Sequence, residues 1–146
     1  MAATMRPLGF LGVLMKKLVN VASTALLGMW LAGAPATAQQ LMFEYYAMLS
    51  PQDTYNSRGV PLNDVCAIVQ QDRANFHKFG RRDSGDNSDP FFTTAERRAM
   101  ISGRCEYDPS YHTVARIRSQ FIGFVLVRVY GNGSGVSRVQ IFEAAG

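Results

Sequence analysis

The chain has 146 residues, of which 47% are hydrophobic, and a formal net charge of +4 at pH 7. This length fits a single domain behind an export signal. The positive charge does not indicate a nucleic-acid partner, because Arg6, Lys16 and Lys17 lie in a segment predicted to be removed. Residues 39–146 then hold 12 basic and 11 acidic side chains, a net charge of +1.

The N-terminal segment contains the three parts of an export signal in the required order. Lys16 and Lys17 form a positive patch, and residues 18–33 form an apolar run. Ala36 and Ala38 then supply the small-residue pattern of a cleavage site. The apolar run of about 16 residues is shorter than the roughly 20 that a membrane-spanning helix needs, which favours cleavage over permanent anchoring.

Cleavage is expected between Ala38 and Gln39. Residues 1–38 are therefore predicted to be a signal peptide, and residues 39–146 one small domain that is periplasmic or secreted and has no stable membrane anchor. Met15 directly precedes the two lysines and is a second candidate start of translation.

The first half of the exported part predicts a strand, a loop and a helix. Residues 41–49 are apolar at nearly every position, which favours a strand buried on both faces. Residues 50–61 contain turn residues and predict a loop. Residues 62–79 predict a helix that ends at Gly80. Its apolar residues recur at steps of three and four, namely Leu62, Val65, Ile68, Val69, Phe76 and Phe79.

A polar loop and a second, shorter helix follow. Residues 81–90 predict the loop, and Phe91 and Phe92 are expected to return the chain to the core. Thr93 is the predicted N-cap of the helix, with Glu96 completing a capping box. This helix is expected to run to about residue 102.

The last third predicts β-structure. Residues 113–118 alternate and favour a strand, and residues 121–130 favour a central strand. The glycine-rich turn at 131–135 joins that strand to residues 136–142 in a hairpin. The predicted fold class is α+β: a small antiparallel sheet, built from the N-terminal strand and a C-terminal hairpin or meander, packed by two helices and tied by one disulfide.

Cys66 and Cys105 are the only cysteines. Two cysteines in an oxidising compartment usually pair, and neither lies in a redox motif. A bridge closing a loop of about 40 residues contributes roughly 4 kcal/mol in the chain-entropy model. The sequence therefore predicts a structural Cys66–Cys105 disulfide.

Asp72 and Arg73 interrupt the apolar stripe of the first helix. A partly buried carboxylate can act as a general base or anchor a ligand. The alternative is a structural ion pair, because buried charges need partners. Asp72 could pair with Arg58, and Arg73 with an acid from residues 83–89. The structural interpretation is favoured, and Arg58, Asp72, Arg73 and His77 are kept as weak binding candidates.

A small hydrolase-like enzyme using Asp72 or His77 is the second hypothesis. His77 and His112 are the only histidines, and a serine hydrolase needs a serine beside a histidine and an acid. The chain has no G-x-S-x-G elbow, and Gly133-Ser134-Gly135 reads as a hairpin turn. The residues therefore define no catalytic set.

A calcium-stabilised structural domain is the third hypothesis. Asp83, Asp86 and Asp89 lie within seven residues, and calcium takes oxygen ligands. Their spacing does not match the calcium-loop pattern, and Arg81 and Arg82 would repel a cation. A solvated acidic loop is favoured, so no cofactor is predicted and calcium stays an alternative.

The leading functional hypothesis is a non-enzymatic binding or accessory module that contacts a protein or an envelope polymer. The chain is small, nearly neutral after cleavage and without a catalytic motif. Its aromatic side chains could build a binding face. They are Phe43, Tyr45, Tyr46, Tyr55, Tyr107, Tyr111 and Tyr130.

Overall fold

A computed structural model describes residues 39–120 and 123–145. The predicted signal peptide lies outside these residues. The described chain contains four strands: β1 (Gln40–Met48), β2 (Cys105–Glu106), β3 (Phe124–Asn132) and β4 (Gly135–Glu143). It also contains three helices: α1 (Val65–His77), α2 (Ala95–Ala99) and α3 (Val114–Arg118). The α+β class is confirmed.

The strands form one mixed, mostly antiparallel sheet in the order β1-β3-β4-β2. The β3–β4 hairpin is confirmed, and Asn132 Oδ1 stabilises its turn by accepting from the backbone N–H groups of Ser134 and Gly135. The strand β2 is an addition to the predicted sheet. It pairs in parallel with β4 and covers that edge.

One face of the sheet forms the core, and the other face is open. The inner face of β3 contributes Val125, Val127 and Val129, all buried. In β1, Tyr45 and Ala47 are buried, whereas the alternate positions are half-buried or exposed. The prediction that β1 is buried on both faces was therefore wrong, because Glu44 and Tyr46 on its outer face are exposed.

The helix α1 is shorter than predicted at both ends. It begins after Asp64, whose side chain accepts from the N–H of Ala67 at 2.9 Å, and it ends at His77. Gly80 has a φ of 66°, a left-handed conformation that glycine adopts without strain. This turn carries Phe79 out of the apolar stripe, so the placement of Phe79 in the core was wrong.

Two further sequence predictions need correction. The cap of α2 is Thr94, whose Oγ1 accepts from the N–H of Arg97, so the cap lies one residue later than expected and α2 ends at Ala99. Residues 113–118 form the helix α3 and no strand. Thr113 caps α3 and Ile117 is its one buried residue. Alternation over six residues is too short to separate a strand from a single helical turn.

The Cys66–Cys105 disulfide is confirmed, with a Cα–Cα distance of 5.8 Å. It joins the first turn of α1 to β2. No helix within residues 39–120 and 123–145 has the length and hydrophobicity needed to cross a membrane.

Candidate functional site

A buried ionic cluster surrounds Arg73, whose side chain is fully buried. Its Nε donates to Asp72 Oδ2 at 2.7 Å, and its Nη1 lies 3.3 Å from Asp89 Oδ2. Nη1 also donates to the Asn87 carbonyl at 2.9 Å. The predicted ion pair between Arg73 and an acid of residues 83–89 is therefore confirmed, with Asp89 as that acid.

Two aromatic rings sandwich the guanidinium of Arg73. Its Cζ lies 4.3 Å from the centre of the Tyr45 ring and 4.7 Å from that of Phe76. A planar, weakly hydrated guanidinium stacks on ring faces in this way. The rings explain how a full positive charge is accommodated at a position where an apolar side chain is expected.

The pKa values of the two carboxyl groups beside Arg73 shift in opposite directions. Burial raises the pKa of the Asp72 carboxyl to about 8, against the attraction of Arg73. Burial also acts on Asp89, but the bond to His77 and the backbone N–H groups of Phe92 and Phe91 outweigh it and lower its pKa. Asp89 is therefore the carboxylate that balances the charge of Arg73, whereas burial favours the neutral form of Asp72.

Asp89 connects α1 to the segment that enters the core. Its Oδ2 lies 2.7 Å from Nε2 of His77. Its Oδ1 accepts from the backbone N–H groups of Phe91 and Phe92 at 2.9 and 2.6 Å. Phe91 and Phe92 are buried, so Asp89 holds in place the segment that carries these two rings into the core.

The proposed contact between Asp72 and Arg58 was wrong. Arg58 is exposed on the loop after β1, where its backbone N–H donates to Asn56 Oδ1 at 2.9 Å. Among the residues that the structure describes, no ion pair joins Arg58 to Asp72. Asp72 pairs with its neighbour Arg73 instead, because both side chains lie on the buried side of α1.

The three acids of the 81–90 loop point to separate partners. Asp83 Oδ2 accepts from Gln52 Nε2 at 3.0 Å, whereas Asp86 accepts from the backbone N–H groups of Met48 and Asp83, both at 2.8 Å. Asp89 is occupied within the buried cluster. No group of three or more potential metal ligands is found in the described part of the chain.

Neither histidine forms a catalytic arrangement with the residues that the structure describes. His77 Nε2 is taken by Asp89. His112 is buried, and burial lowers its pKa. Among the described residues, neither ring nitrogen of His112 has a hydrogen-bond partner. Neither Asp72 nor His77 lines any of the four cavities considered below.

A polar groove runs along the outer side of α1. It consists of two cavities of about 280 and about 360 Å³. Both cavities are lined by Asn56, Ser57, Gln71 and Phe79, so they form one continuous depression, which we call the α1 groove. Its far wall is the loop of residues 55–61.

Backbone hydrogen bonds hold that loop in shape. Tyr55 pairs with Pro61 in an isolated antiparallel bridge, and the N–H of Asn56 donates to the Val60 carbonyl at 2.9 Å. Gly59 turns the chain with a φ of 76°. Arg118 Nη2 donates to the Leu62 carbonyl at 3.1 Å and so ties the end of the loop to α3.

Two exposed rings flank the α1 groove. Tyr55 is 44% exposed and Phe79 is 40% exposed, and both line the larger cavity. The chain around Phe79 is fixed because its N–H donates to the Ala74 carbonyl and that of Arg81 donates to the Asn75 carbonyl. The Phe79 ring is thus held outward by the turn at the end of α1.

A chain of hydrogen bonds orients the central amide of the groove. Ser50 donates twice to Asp53 Oδ2, and Asp53 Oδ1 accepts from Asn75 Nδ2 at 2.7 Å. Asn75 Oδ1 in turn accepts from Gln71 Nε2 at 3.0 Å. The bond to Asn75 engages one amide N–H of Gln71, which lines both cavities of the groove.

Basic side chains alone supply the charge of the groove. Lys78, Arg81 and Arg98 line the two cavities, and no carboxylate of residues 39–120 and 123–145 does so. The Lys78 Nζ lies 5.0 Å, and the Arg81 Cζ 5.9 Å, from the centre of the Phe79 ring.

The outer face of the sheet is a second exposed aromatic surface. Tyr46, Leu126 and Phe142 form a row across β1, β3 and β4. Tyr46 is 41% and Phe142 39% exposed. The Tyr46 ring stacks on Phe124 with centres 5.3 Å apart. None of the four cavities includes this row.

Two other cavities lie at the end of the sheet. Both are lined by Gln40, Gly131 and Asn132. One of them also includes Gln39, the first residue that the structure describes. We assign these two cavities no ligand.

Sequence reasoning singled out Tyr55 but missed the other groove residues. Gln70 and Gln71 lie opposite the apolar stripe of α1 and read as an ordinary solvated face. Gly80 was the signal that could have placed Phe79. A glycine of this kind lies just past the last turn of a helix, so Phe79 next to it need not continue the apolar stripe. The loop that completes the groove could not be placed without the fold.

No protein-family model, curated protein or solved structure matches the chain.

Proposed function

We propose that this protein is a small exported binding module, without catalytic activity, that contacts a protein or an envelope polymer through the α1 groove. The observation that carries the proposal is the pair of outward rings, Tyr55 and Phe79, at the edge of a preformed polar depression. Exposed aromatic side chains beside a concavity are typical of recognition sites.

The groove is preorganised for binding. The hydrogen bonds of Asn56, Asn75 and Arg118 fix the loop and the central amide before any ligand arrives. A rigid site loses little conformational entropy on binding, which favours affinity.

The buried cluster supports a binding role over a hydrolytic one. Asp72 and His77 are the residues of the enzyme alternative, and Asp72 Oδ2 is engaged by Arg73 and His77 Nε2 by Asp89. A general base needs access to a substrate proton. In this fold Asp72 is buried, and neither group lines the groove.

The decisive experiment is retention of the protein on an envelope fraction of its own host. The full chain, carrying a C-terminal tag, is expressed there, purified after export and incubated with that fraction. Intact mass is expected to show cleavage before Gln39 and a loss of two hydrogen atoms for the disulfide. Phe79→Ser is expected to reduce retention at least about tenfold, which corresponds to about 1.4 kcal/mol.

Phe142→Ser is the matched control. It replaces a phenylalanine of nearly equal exposure on the outer face of the sheet. Equal loss of retention in both variants contradicts a role of the groove, and so does unchanged retention in Phe79→Ser. A second pair, Tyr55→Ser and Tyr46→Ser, repeats the comparison with tyrosines.

A further inference from the structure

We infer that the ligand of the α1 groove is a carboxylate-bearing glycan, a chain of sugar rings with acidic substituents. This inference rests on the proposed function and specifies its ligand. Four features of the groove indicate this ligand: its charged side chains, its amides, its aromatic rings and the hydrogen bonds of its backbone groups.

The charge of the groove favours an anionic ligand. The charged side chains of its lining are Lys78, Arg81 and Arg98, all basic. The mature chain has a net charge of only +1, so this local excess does not follow from overall composition. Arg98 is occupied, since its Nη1 donates to the carbonyls of Phe92 and Thr93, both at 3.0 Å. Lys78 and Arg81 are exposed and are the groups that can receive a carboxylate.

The amides of the groove favour hydroxyl groups. Gln70 and Gln71 line it and supply neutral donors and acceptors side by side. A sugar hydroxyl is both a donor and an acceptor, so an amide can bind one or two neighbouring hydroxyls. The Gln71 carbonyl oxygen is held in place by the bond from its own amide to Asn75.

The outward rings suit the flat apolar faces of sugar rings. Tyr55 and Phe79 each present a large rigid surface at low entropic cost. Phe79 lies beside Lys78 and Arg81. A sugar ring stacked on Phe79 would therefore hold its carboxylate close to these two cations. An acidic sugar offers both an apolar C–H face and a carboxylate within one unit.

A polypeptide ligand fits the groove less well. One recurring way to bind an extended peptide is to add it as a strand to a free sheet edge. The groove wall offers no such edge, because Asn56 and Gly59 are paired within the loop and the N–H groups of Arg58 and Val60 donate to Asn56 Oδ1. The groove recognises its ligand through side chains.

The test compares three polymers immobilised on beads: polygalacturonate, dextran and polyglutamate. They represent an acidic glycan, a neutral glycan and an acidic polypeptide. The full chain, purified after export, is expected to be retained most strongly by polygalacturonate, by about tenfold or more over either other polymer. Retention should weaken as salt is raised, since exposed charges are screened.

Two variants measure how much the ring of Phe79 and the charge of Arg81 contribute to retention. Phe79→Ser is expected to lower retention on polygalacturonate at least about tenfold. Arg81→Ala is expected to lower it severalfold while leaving the weaker retention on dextran unchanged. Phe142→Ser is the control and should behave as the parent protein. Unfolding midpoints of all three check that they are folded.

Equal or stronger retention on polyglutamate, on dextran, or by the Phe79→Ser variant overturns the glycan inference. If polygalacturonate fails while envelope retention still depends on Phe79, the inference is wrong and the proposed function stands. If neither retention depends on Phe79, both are wrong.

Discussion

The two sides of α1 differ in what their polar residues do. The buried side carries the charged pair Asp72 and Arg73, whereas the outer side presents the uncharged amides Gln70 and Gln71 to the groove. Glutamines are ordinary on an outer side, but charged side chains are almost never fully buried unless they are paired. The charged pair therefore serves the fold, and the outer amides are candidates for recognition.

A charged residue within an apolar helical stripe has two explanations that look the same in the sequence. It can belong to a site that is open to a ligand, or to a network of buried ion pairs. In this chain the deciding residue is Asp89, which lies 16 residues after Arg73 and closes the network from the far side. Substitutions on each side of α1 should therefore separate stability from binding.

The largest expected effect comes from Asp89→Asn. The substitution removes the charge that balances Arg73, and breaking a buried ion pair from one side costs about 3–5 kcal/mol. The free energy of unfolding, measured in urea, should fall by that amount. At a temperature where the variant is folded, its retention on the envelope fraction should match the parent protein.

Asp83→Asn is the control for that substitution, since Asp83 is a half-buried acid of the same loop. Its effect on the free energy of unfolding should stay within about 0.5 kcal/mol, as for most surface changes. Equal effects of the two substitutions contradict a special role for Asp89. A binding defect in folded Asp89→Asn would show that the two sides of α1 are coupled.

The disulfide should give the next largest effect. Cys66→Ser with Cys105→Ser opens a loop spanning 39 positions, and its closure is worth roughly 4 kcal/mol in the chain-entropy model. The bridge lies at the first turn of α1, away from Phe79 at its end. Thermal melting should shift strongly downward, while binding by the folded fraction is retained. Reduction of the parent protein should reproduce the shift.

The protonation of Asp72 makes stability depend on pH. Its folded pKa of about 8 exceeds its ordinary value of 3.8, so the folded state binds the extra proton between these values. The stabilisation is present below about pH 4 and is lost as pH rises through 8. The slope is at most about 1.4 kcal/mol per pH unit.

Asp72→Asn isolates this contribution, because asparagine stays neutral at every pH. Between pH 7 and 8 the parent protein should lose about 1 kcal/mol more than the variant in urea unfolding. Below pH 6.5 the lowered pKa of His112 acts in the opposite direction, so the comparison is confined to the alkaline interval. Parallel profiles would mean that Asp72 is ionised in the folded protein.

The fold was largely predictable, since most of its signals are local or periodic. The hairpin follows from its glycine-rich turn, and the disulfide from two cysteines in a chain with a predicted export signal. The third helix was missed because the six residues at 113–118 fit both periods. The cap of α2 was misplaced because Glu96 lies at the capping-box spacing from Thr93, whereas the cap that forms is Thr94.

The candidate site was less predictable, because it depends on distant pairings. The ion pair of Arg73 with an acid of residues 83–89 was expected because a buried charge needs a partner. The α1 groove was not, since it requires the loop of residues 55–61 to stand against α1. That position is set by Arg118, which follows the loop by more than 50 residues.

Gln71→Met should alter binding at a smaller cost in stability than Asp89→Asn or loss of the disulfide. Gln71 is half-buried and donates one hydrogen bond to the buried Asn75, and a buried acceptor that loses its donor costs about 1–3 kcal/mol. Methionine keeps the length of the side chain and removes both amide groups. Retention on polygalacturonate should fall about tenfold, since the groove loses its central acceptor.

Gln140→Met on the outer face of the sheet is the matched control for Gln71→Met. It makes the same chemical change at another half-buried position and should leave retention unchanged. If both variants bind as the parent does, the amide of Gln71 only supports Asn75, and recognition rests on the rings and cations. If Gln71→Met alone loses binding at nearly full stability, the outer side of α1 is a recognition surface that contributes little to the fold.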